Sequence, residues 1–402
     1  MMRLSTTTQR ESPTSRQEMI DWWDQQSLSE AKVMVVGAGA VGNETMKNLV
    51  LMGLRYILAV DMDVVSVSNL SRAVLFRSSD VGRSKVQVAR ERLQQMAVHP
   101  DFKMDVFEGD LVWEIGLGVF QEMDLVLACV DNVETRLAIN RACYAVGTPW
   151  IDTGIESLGV RLNAFDGVHA PCYQCSINPR QWAAARKRYS CDFFKRQAVL
   201  DEKVPTTQVA SAIAGALQSQ EAVKFLAGKP IDFGKRLYFQ GIGNTLENYT
   251  LPIHSSCTAH VPHFEEIISV SNDFAATVGE FFSQVKTQIP AGIIEGLDLR
   301  FEPWKFIQSL SCKGCGAIKK PMLPNYRMPS AETFCFRCAR GDEAVTETPP
   351  SASHLAFIHM SDEQWQHFSL YELGYPDAHI VSLRKTDGST IGVRLRGRGF
   401  KC

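Results

Sequence analysis

The chain opens its ordered pattern with a short apolar run at 31–36 (AKVMVV), then a glycine-containing turn, then apolar positions spaced as on one face of a helix over 43–53. That order of elements is a βα unit. A second apolar run from Tyr56 to Val60 ends in Asp61, and the alternation continues with a helix over 81–97, a strand over 123–129 (DLVLACV) and a helix over 132–146. Strands alternating with helices predict an α/β fold, a parallel, doubly wound sheet of the Rossmann kind with helices on both faces. From Pro149 the pattern turns β-rich (WIDTGIE, GVRLNAF), and a polar, basic stretch from Asn178 to Lys203 reads as a crossover loop. A long apolar-periodic helix is expected from about Thr206 to Leu226, stopped by Gly228 and Pro230, with returning strands near 236–240 and 247–251.

Beyond this, residues 286–345 are rich in Pro and Cys, and TETPPSAS at 345–352 marks a boundary. The expected division is therefore 1–285, 286–345 and 346–402. The last part is expected to be a small α/β unit: a strand (LAFIHM), a helix (SDEQWQHFSLYEL), a strand (HIVSL) and a hairpin through Thr386-Asp387-Gly388. There is no internal repeat and no heptad array.

Composition narrows the function. A chain of 402 residues with 45% hydrophobic and 21% charged residues can bury a large core, and a net charge of −2 gives no electrostatic footprint for nucleic acid or an anionic membrane. The first twenty residues are polar, and no run approaches the roughly 20 apolar residues of a membrane span, so a cytoplasmic location is expected. Six of the eleven cysteines fall in three CxxC pairs, which in a reducing compartment read as metal ligands or redox centres rather than disulfides, metal being the preferred reading.

The turn Gly37-Ala38-Gly39-Ala40-Val41-Gly42 matches GxGxxG between a strand and a helix, with Asp61 at the end of the next strand. Glycines let a backbone approach phosphates, the helix N-terminus favours their charge, and the acid can bind ribose hydroxyls. Taken alone, this fits a nicotinamide-dependent dehydrogenase as well as an ATP enzyme. The following segments separate the two: Asp61-Met62-Asp63, then Ser68-Asn69-Leu70-Ser71-Arg72, then Asp80-Val81-Gly82-Arg83-Ser84-Lys85, and later Asp131-Asn132. Over about 10–260 the chain resembles the ThiF/MoeB/ubiquitin-activating superfamily, which carries D-x-D, SNL-x-R, D-x-G-x-x-K and D-N in this order.

The resemblance implies a Rossmann-like adenylation domain that uses ATP and Mg2+ to activate the C-terminal glycine of a ubiquitin-like protein. It implies Asp61 on the ribose, with Asp63 and Ser68 in the same nucleotide-binding segment. Asn69, Arg72 and Lys85 would meet the phosphates, and Asp131, beside Asn132, would hold Mg2+. Cations are needed where charge builds on the triphosphate. Taken singly, Arg72 and Lys85 also read as solvated charges and Asp131 as a helix cap. Ser15-Arg16-Gln17 matches the second half of the family's R-Y-x-R-Q segment, which implies Arg16 as an arginine finger; Pro13 stands where the first arginine would be.

Among the cysteines, Cys312-x2-Cys315 and Cys335-x2-Cys338 lie nineteen residues apart, the spacing of a four-thiolate Zn2+ ribbon. Cys172 and Cys175 sit where the resemblance implies half of a second zinc site, with Cys257 and His260 in the place of its other half. The competing pairing with a later CxxC would leave an incomplete ligand set. Cys191, in the crossover loop beside Arg186, Lys187 and Arg188, is where the family places the cysteine that takes the activated protein as a thioester or persulfide; neighbouring cations favour the thiolate. Cys129 and Cys143 fit core positions.

Two functions share this chemistry: activation for conjugation, with transfer from Cys191 to a conjugating enzyme, or sulfur transfer by way of a thiocarboxylate. The compact plan around Cys191 is similar to bacterial activating enzymes, which sit in conjugation systems associated with antiviral defence. The resemblance also implies a homodimer, and the terminal unit is a candidate surface for the conjugating enzyme. A non-catalytic scaffold of the same fold is the remaining alternative.

Overall fold

The computed structural model describes residues 12–169, 171–178, 206–260, 263–294, 296–328 and 351–398. Element labels run over these residues. Cys191, Cys335 and Cys338 lie outside them.

The predicted βα alternation is present. Strands β1 (Lys32–Val36), β2 (Tyr56–Val60) and β4 (Leu125–Ala128) pair in parallel, and β3 (Lys103–Phe107) extends the same sheet on the β2 side. Beyond β4 lie β5 (Trp150–Glu156), β6 (Gly159–Phe165), β7 (Lys235–Gln240) and β8 (Thr245–Thr250), in the order β3-β2-β1-β4-β5-β6-β7-β8. The strands from β3 to β5 are parallel, and β5 to β8 run antiparallel. The apolar runs of β1, β2 and β4 are buried on both faces, as parallel strands covered by helices must be. Sequence periodicity missed β3, because KMDVF mixes polar and apolar positions in a strand that is largely half-buried.

Helix α1 (Gln25–Glu30) precedes β1, and α2 (Ala40–Leu51) follows it at once, three residues earlier than the periodicity indicates, because Gly39 serves as its N-cap. Helix α3 (Lys85–Met96) begins four residues later than expected. The cause is local: Gly82 adopts a φ of 88°, and residues 82–85 hydrogen-bond back to Asp63 and Val65 instead of entering the helix. Short helices α4 (Leu111–Glu114) and α5 (Leu117–Gln121) lead to β4, and α6 (Val133–Val146) follows it, closed by Gly147 in the left-handed conformation. A single turn, α7 (Tyr173–Ser176), carries the first cysteine pair. The long helix α8 (Gln208–Leu226) lies against α2, where Gly215 leaves room for Glu44 and Gln218 accepts a hydrogen bond from the Thr45 hydroxyl at 2.9 Å.

The C-terminal third is organised differently from the expectation. A five-stranded sheet has the order β15-β10-β16-β17-β9, built from β9 (Glu266–Ser269), β10 (Asp298–Arg300), β15 (Phe357–His359), β16 (Ile380–Arg384) and β17 (Thr390–Arg394). Strand β9 finds its partner in β17, so the sheet spans the expected boundaries at 285 and 345. Beside it, β11 (Phe306–Ser311) pairs with β12 (Ile318–Lys319), β13 (Leu323–Pro324) and β14 (Ser351–Leu355). The hairpin through Asp387-Gly388 joins β16 to β17 as expected.

The helix expected over 361–373 is not formed; the segment holds one 3-10 turn, Glu363–Trp365. Its backbone is used elsewhere. Gln366 and Phe368 carbonyls accept from Gly279 and Val278 at the start of α9 (Val278–Gln288), and Leu370 N–H donates to Ala276 O. Trp365, Leu370 and Leu373 are thereby buried from several directions, which one helical face could not do.

The two parts share one core. Trp113, Phe120 and Trp150 belong to the same apolar cluster as Phe281, Phe306 and Tyr375. Gly118 N–H donates to Ala378 O at 2.9 Å, Trp113 stacks on Tyr326, and Arg394 reaches Gln121 and Glu122. No helix among the described residues is long and apolar enough to cross a membrane.

Candidate nucleotide and metal sites

The C-terminal ends of β1, β2 and β4 meet at one edge of the sheet, the position where open α/β sheets bind ligands. Gly37 adopts a φ of 93° and lies so close to the β4 exit that a Cβ there would sit 2.6 Å from the Cys129 carbonyl oxygen. At Gly42 a Cβ would fall 1.9 Å from Gly37 O, whereas around Gly39 there is open space for 4 Å. Two glycines are thus required by packing. The third, Gly39, presents bare backbone at the start of α2, with Ala40 as the first helical residue, where N–H groups favour an anion.

Asp61 closes the turn from the β2 side. One carboxylate oxygen accepts from Ala38 N–H at 2.7 Å and the other from Asp63 N–H at 2.8 Å. Lys85, itself buried at the start of α3, places its ammonium 2.7 Å from Asp63 and 4.0 Å from Asp61. Burial raises the Asp61 carboxyl above its ordinary value, against the pull of Lys85 and the two N–H donors. Asn43 of α2 donates to Ala38 and Gly39 carbonyls and accepts from Leu75 N–H, so it ties the glycine turn to the loop that carries Arg72. In that loop Asn69 is buried and accepts from Ser66 N–H, Ser68 is exposed, and Arg72 donates to the Ser68 carbonyl.

At the β4 exit Asp131 is exposed, and Asn132 caps α6 by accepting from Thr135 N–H at 2.8 Å. The cap reading expected for Asp131 therefore belongs to its neighbour. The structure brings the glycine turn, Asp61, Asp63 and Lys85 into direct contact. Among the described residues no hydrogen bond joins Arg72 or Asp131 to that group. Arg16 is remote: Gln17 bonds the Met52 carbonyl just past the far end of α2, a helix of 12 residues and hence about 18 Å long. Within one chain, Arg16 does not cover the glycine turn of its own site.

The cysteine pairing resolves clearly. Cys172, Cys175, Cys257 and His260 bring four ligand atoms within 4.8 Å of one another. Cys172 Sγ lies 3.9 Å from Cys175 Sγ and 3.7 Å from Cys257 Sγ, and Cys175 Sγ lies 3.6 Å from His260 Nδ1. Tetrahedral zinc with Zn–S bonds of about 2.3 Å has S–S edges of about 3.8 Å, so the donors and their spacing fit Zn2+. Burial pushes the Cys172 thiol up to about 12 and raises Cys257, so holding both as thiolates requires a cation. The Tyr144 hydroxyl donates to His169 O at 2.7 Å, and Asn140 accepts from Tyr173 N–H, fixing the loop that presents the pair.

Cys312 and Cys315 sit on a knuckle turn between β11 and β12, where Gly316 N–H donates to Cys312 O and Cys312 N–H to Ala317 O. Cys129 is bound through its thiol to Gln218 Oε1 at 3.0 Å, and burial pushes that thiol up to about 12, as suits a core residue.

Sequence reasoning missed a buried polar network beside the nucleotide edge. Arg136 of α6 donates through Nε to Asp152 at 2.6 Å and through Nη2 to the Val130 and Thr153 carbonyls. Asn163 donates to the other Asp152 oxygen at 3.0 Å and accepts from Arg236 Nε at 2.9 Å. The only available signal was an aspartate inside the otherwise apolar strand WIDTG.

Fold and site together define a Rossmann-type nucleotide-binding protein with a Cys3His set of donors that could hold a metal ion. The chain belongs to the ThiF family, whose model matches residues 14–259. It is 30% identical over 234 residues to the sulfur carrier protein ThiS adenylyltransferase of Escherichia coli K12, covering 58% of this chain and 87% of that protein. It is 33% identical over 164 residues to SUMO-activating enzyme subunit 2 of Dictyostelium discoideum, but the match covers 40% of this chain and only 24% of that longer protein. Among solved structures, Escherichia coli MccB with ATP aligns over 63% of this chain and 75% of that one, with a TM-score of 0.52 and 19% identity, which supports the fold alone.

Proposed function

We propose that this chain uses ATP to adenylate the C-terminal carboxylate of a small ubiquitin-like or sulfur-carrier protein. The observation that carries this is the contact of the glycine turn, Asp61 and Lys85 at one sheet edge: Ala38 N–H to Asp61 at 2.7 Å, with the Lys85 ammonium 4.0 Å from the same carboxylate. A ribose-binding acid, bare backbone at a helix start and a buried cation are what a nucleotide triphosphate needs. A carboxylate oxygen of the substrate attacks the α-phosphorus, the bond to the bridging oxygen breaks, and pyrophosphate leaves. Lys85, together with Arg72 and Asn69 from the adjoining loop, meets the charge that builds there. The exposed carboxylate of Asp131 suits a Mg2+ ligand, and the ion when bound would neutralise part of the triphosphate charge. Arg16, remote from its own site, would serve the site of a second copy in a homodimer.

We further propose that the activated acyl group passes to Cys191: the thiolate attacks the acyl carbonyl, AMP leaves, and a thioester forms that a conjugating enzyme's cysteine then receives. The 140 or so residues that follow Cys257, with the Cys312/Cys315/Cys335/Cys338 ribbon and the terminal sheet, exceed what adenylation requires and favour a conjugation role. The extent of the match to a sulfur carrier adenylyltransferase favours the second reading, thiocarboxylate formation. The deciding experiment supplies ATP and the cognate carrier and measures both pyrophosphate exchange and a thiol-sensitive adduct. Exchange with an adduct lost in Cys191→Ala supports conjugation, and exchange without any adduct supports sulfur transfer. Absence of exchange with every carrier, and in particular no difference between wild type and Lys85→Ala, refutes adenylation.

A further inference from the structure

We propose that the face of β5, β6 and β7 next to the glycine turn binds a carboxylate of the substrate's polypeptide tail, with Arg161 and Arg236 as the receiving cations. This rests on the adenylation reading for the identity of the substrate as a polypeptide, and it goes beyond that reading in assigning a charge to its tail.

The sheet register lays out a path. Val36, the residue before Gly37, pairs with Ala128, Ala128 with Asp152, Asp152 with Asn163, and Asn163 with Arg236. Residues directly opposite one another share a face, so these side chains form one row leading away from the glycine turn. Arg161 stands on the same face, opposite Gly154, with its guanidinium against that glycine. Four strand steps of about 4.8 Å put Arg236 roughly 19 Å from Val36, and Arg161 is one strand nearer. An extended peptide rising about 3.4 Å per residue, with its end at the nucleotide, brings a residue some four positions upstream over these arginines.

The charges along the row do not balance. Arg136, Arg161 and Arg236 gather around a single fully buried carboxylate, Asp152, and both of its oxygens are taken, one by Arg136 and one by Asn163. Among the described residues Arg236 bonds the neutral Asn163, and Arg161 Nε is buried without a hydrogen-bond partner. Among the described residues neither forms an ion pair. Burial and the Arg161 charge together push the Arg236 guanidinium below its ordinary value. Two other carboxylates share the face: Glu156 lies at the exposed end of the β5–β6 hairpin, and Glu247 is engaged by the Tyr249 hydroxyl. A half-buried guanidinium with an unsatisfied nitrogen is costly, and an anionic ligand supplies what is lacking. The terminal carboxylate itself lies at the nucleotide, so the carboxylate that reaches these arginines is an acidic side chain upstream of the terminus.

The test uses the full chain and fluorescein-labelled peptides ending in Gly-Gly, with Glu, Gln or Lys at the fifth position from the end, each with a free or amidated terminus. Fluorescence anisotropy is expected to show a preference of roughly tenfold or more for Glu over Lys, reversed in Arg161→Glu and weakened in Arg236→Gln. Among the described residues Arg161 Nε makes no hydrogen bond, and a melting curve of Arg161→Glu run alongside separates a loss of binding from a loss of fold. A penalty from amidation with no effect of the upstream side chain places the carboxylate contact at the nucleotide end and overturns the proposal. Equal or undetectable binding of all peptides, or a preference unaltered by Arg161→Glu, overturns it. Pyrophosphate exchange run alongside separates the two ideas: exchange without any charge preference removes the anion site and leaves adenylation standing, while charge-selective binding without exchange does the reverse.

Discussion

Replacing Lys85 by Met removes the cation that faces the buried Asp61 carboxylate among the described residues, and the penalty depends on pH in a direction the geometry fixes. The Lys85 ammonium is 4.0 Å from Asp61 and 2.7 Å from Asp63; the Lys85 and Asp61 side chains are about 10% exposed, but Asp63 is 62% exposed. The Asp63 pair, with one end in water, contributes at most about 1 kcal/mol. Two unit charges at the Asp61 separation attract by about 4 kcal/mol at an effective dielectric of about 20, which sets the upper bound for the loss. Asp61 can escape that loss by taking up a proton, and each pH unit above its pKa makes this escape costlier by about 1.4 kcal/mol. Burial already raises the Asp61 carboxyl in the folded protein, and removal of Lys85 raises it further. A carboxyl whose folded pKa exceeds its unfolded value adds stability below the unfolded pKa, and that stability disappears as pH rises through the folded pKa. The Lys85→Met penalty should therefore be small near about pH 4.5 and grow to about 3–4 kcal/mol near about pH 8. Urea unfolding followed by tryptophan fluorescence at both pH values measures it, and the double variant Asp61→Asn/Lys85→Met should lose most of the pH dependence. An equal penalty at both pH values would mean that Lys85 acts through its hydrocarbon packing, and the electrostatic account of the site would fail.

Three further outcomes are expected. Gly42→Ala forces a Cβ into the Gly37 carbonyl and should cost about 1–3 kcal/mol and abolish ATP binding, whereas Gly39→Ala, with open space around it, should melt like wild type yet bind ATP more weakly; calorimetry on both decides. Cys257→Ala should lower bound zinc by about one ion per chain, measured by elemental analysis, while Cys312→Ala affects a different ion, so the two losses add. Arg136→Met strands the buried Asp152 charge and should cost about 3–5 kcal/mol in urea, and Arg136→Met/Asp152→Leu should recover most of it; a double variant no better than the single one removes the ion pair as the cause.

The nucleotide half of the fold was legible because its strands are buried on both faces and its turns are punctuated by residues with strict requirements. AKVMVV, YILAV and DLVLACV can only be strands between helices, and Gly37 and Gly42 announce a turn too tight for side chains. Where a segment's backbone bonds run to distant elements, local reading failed. The stretch 361–373 carries a helical hydrophobic spacing, yet its carbonyls serve the first turn of α9, a partner some ninety residues earlier in the chain that no window can see. The terminal sheet escaped division at 285 and 345 for the same reason, since β9 waits for β17. Within the site, residues tied by short-range motifs were found: Asp61, Asp63 and Lys85 do meet. The four zinc-type donors were expected from the resemblance, and the structure brings them together. The network through Arg136, Asp152, Asn163 and Arg236 was not, because its members come from one helix and three strands and only the register aligns them.

The docking of the terminal sheet onto α4, α5 and α6 has a practical side. A fragment cut near residue 259, where the family match ends, would strip the cover from Trp113, Ile115, Leu117 and Phe120 and leave a broad greasy wall beside Trp304 and Tyr375's empty places. Such a fragment would clump in solution rather than report on catalysis, and lesions as late as Arg394 should be felt in the helices that brace β4.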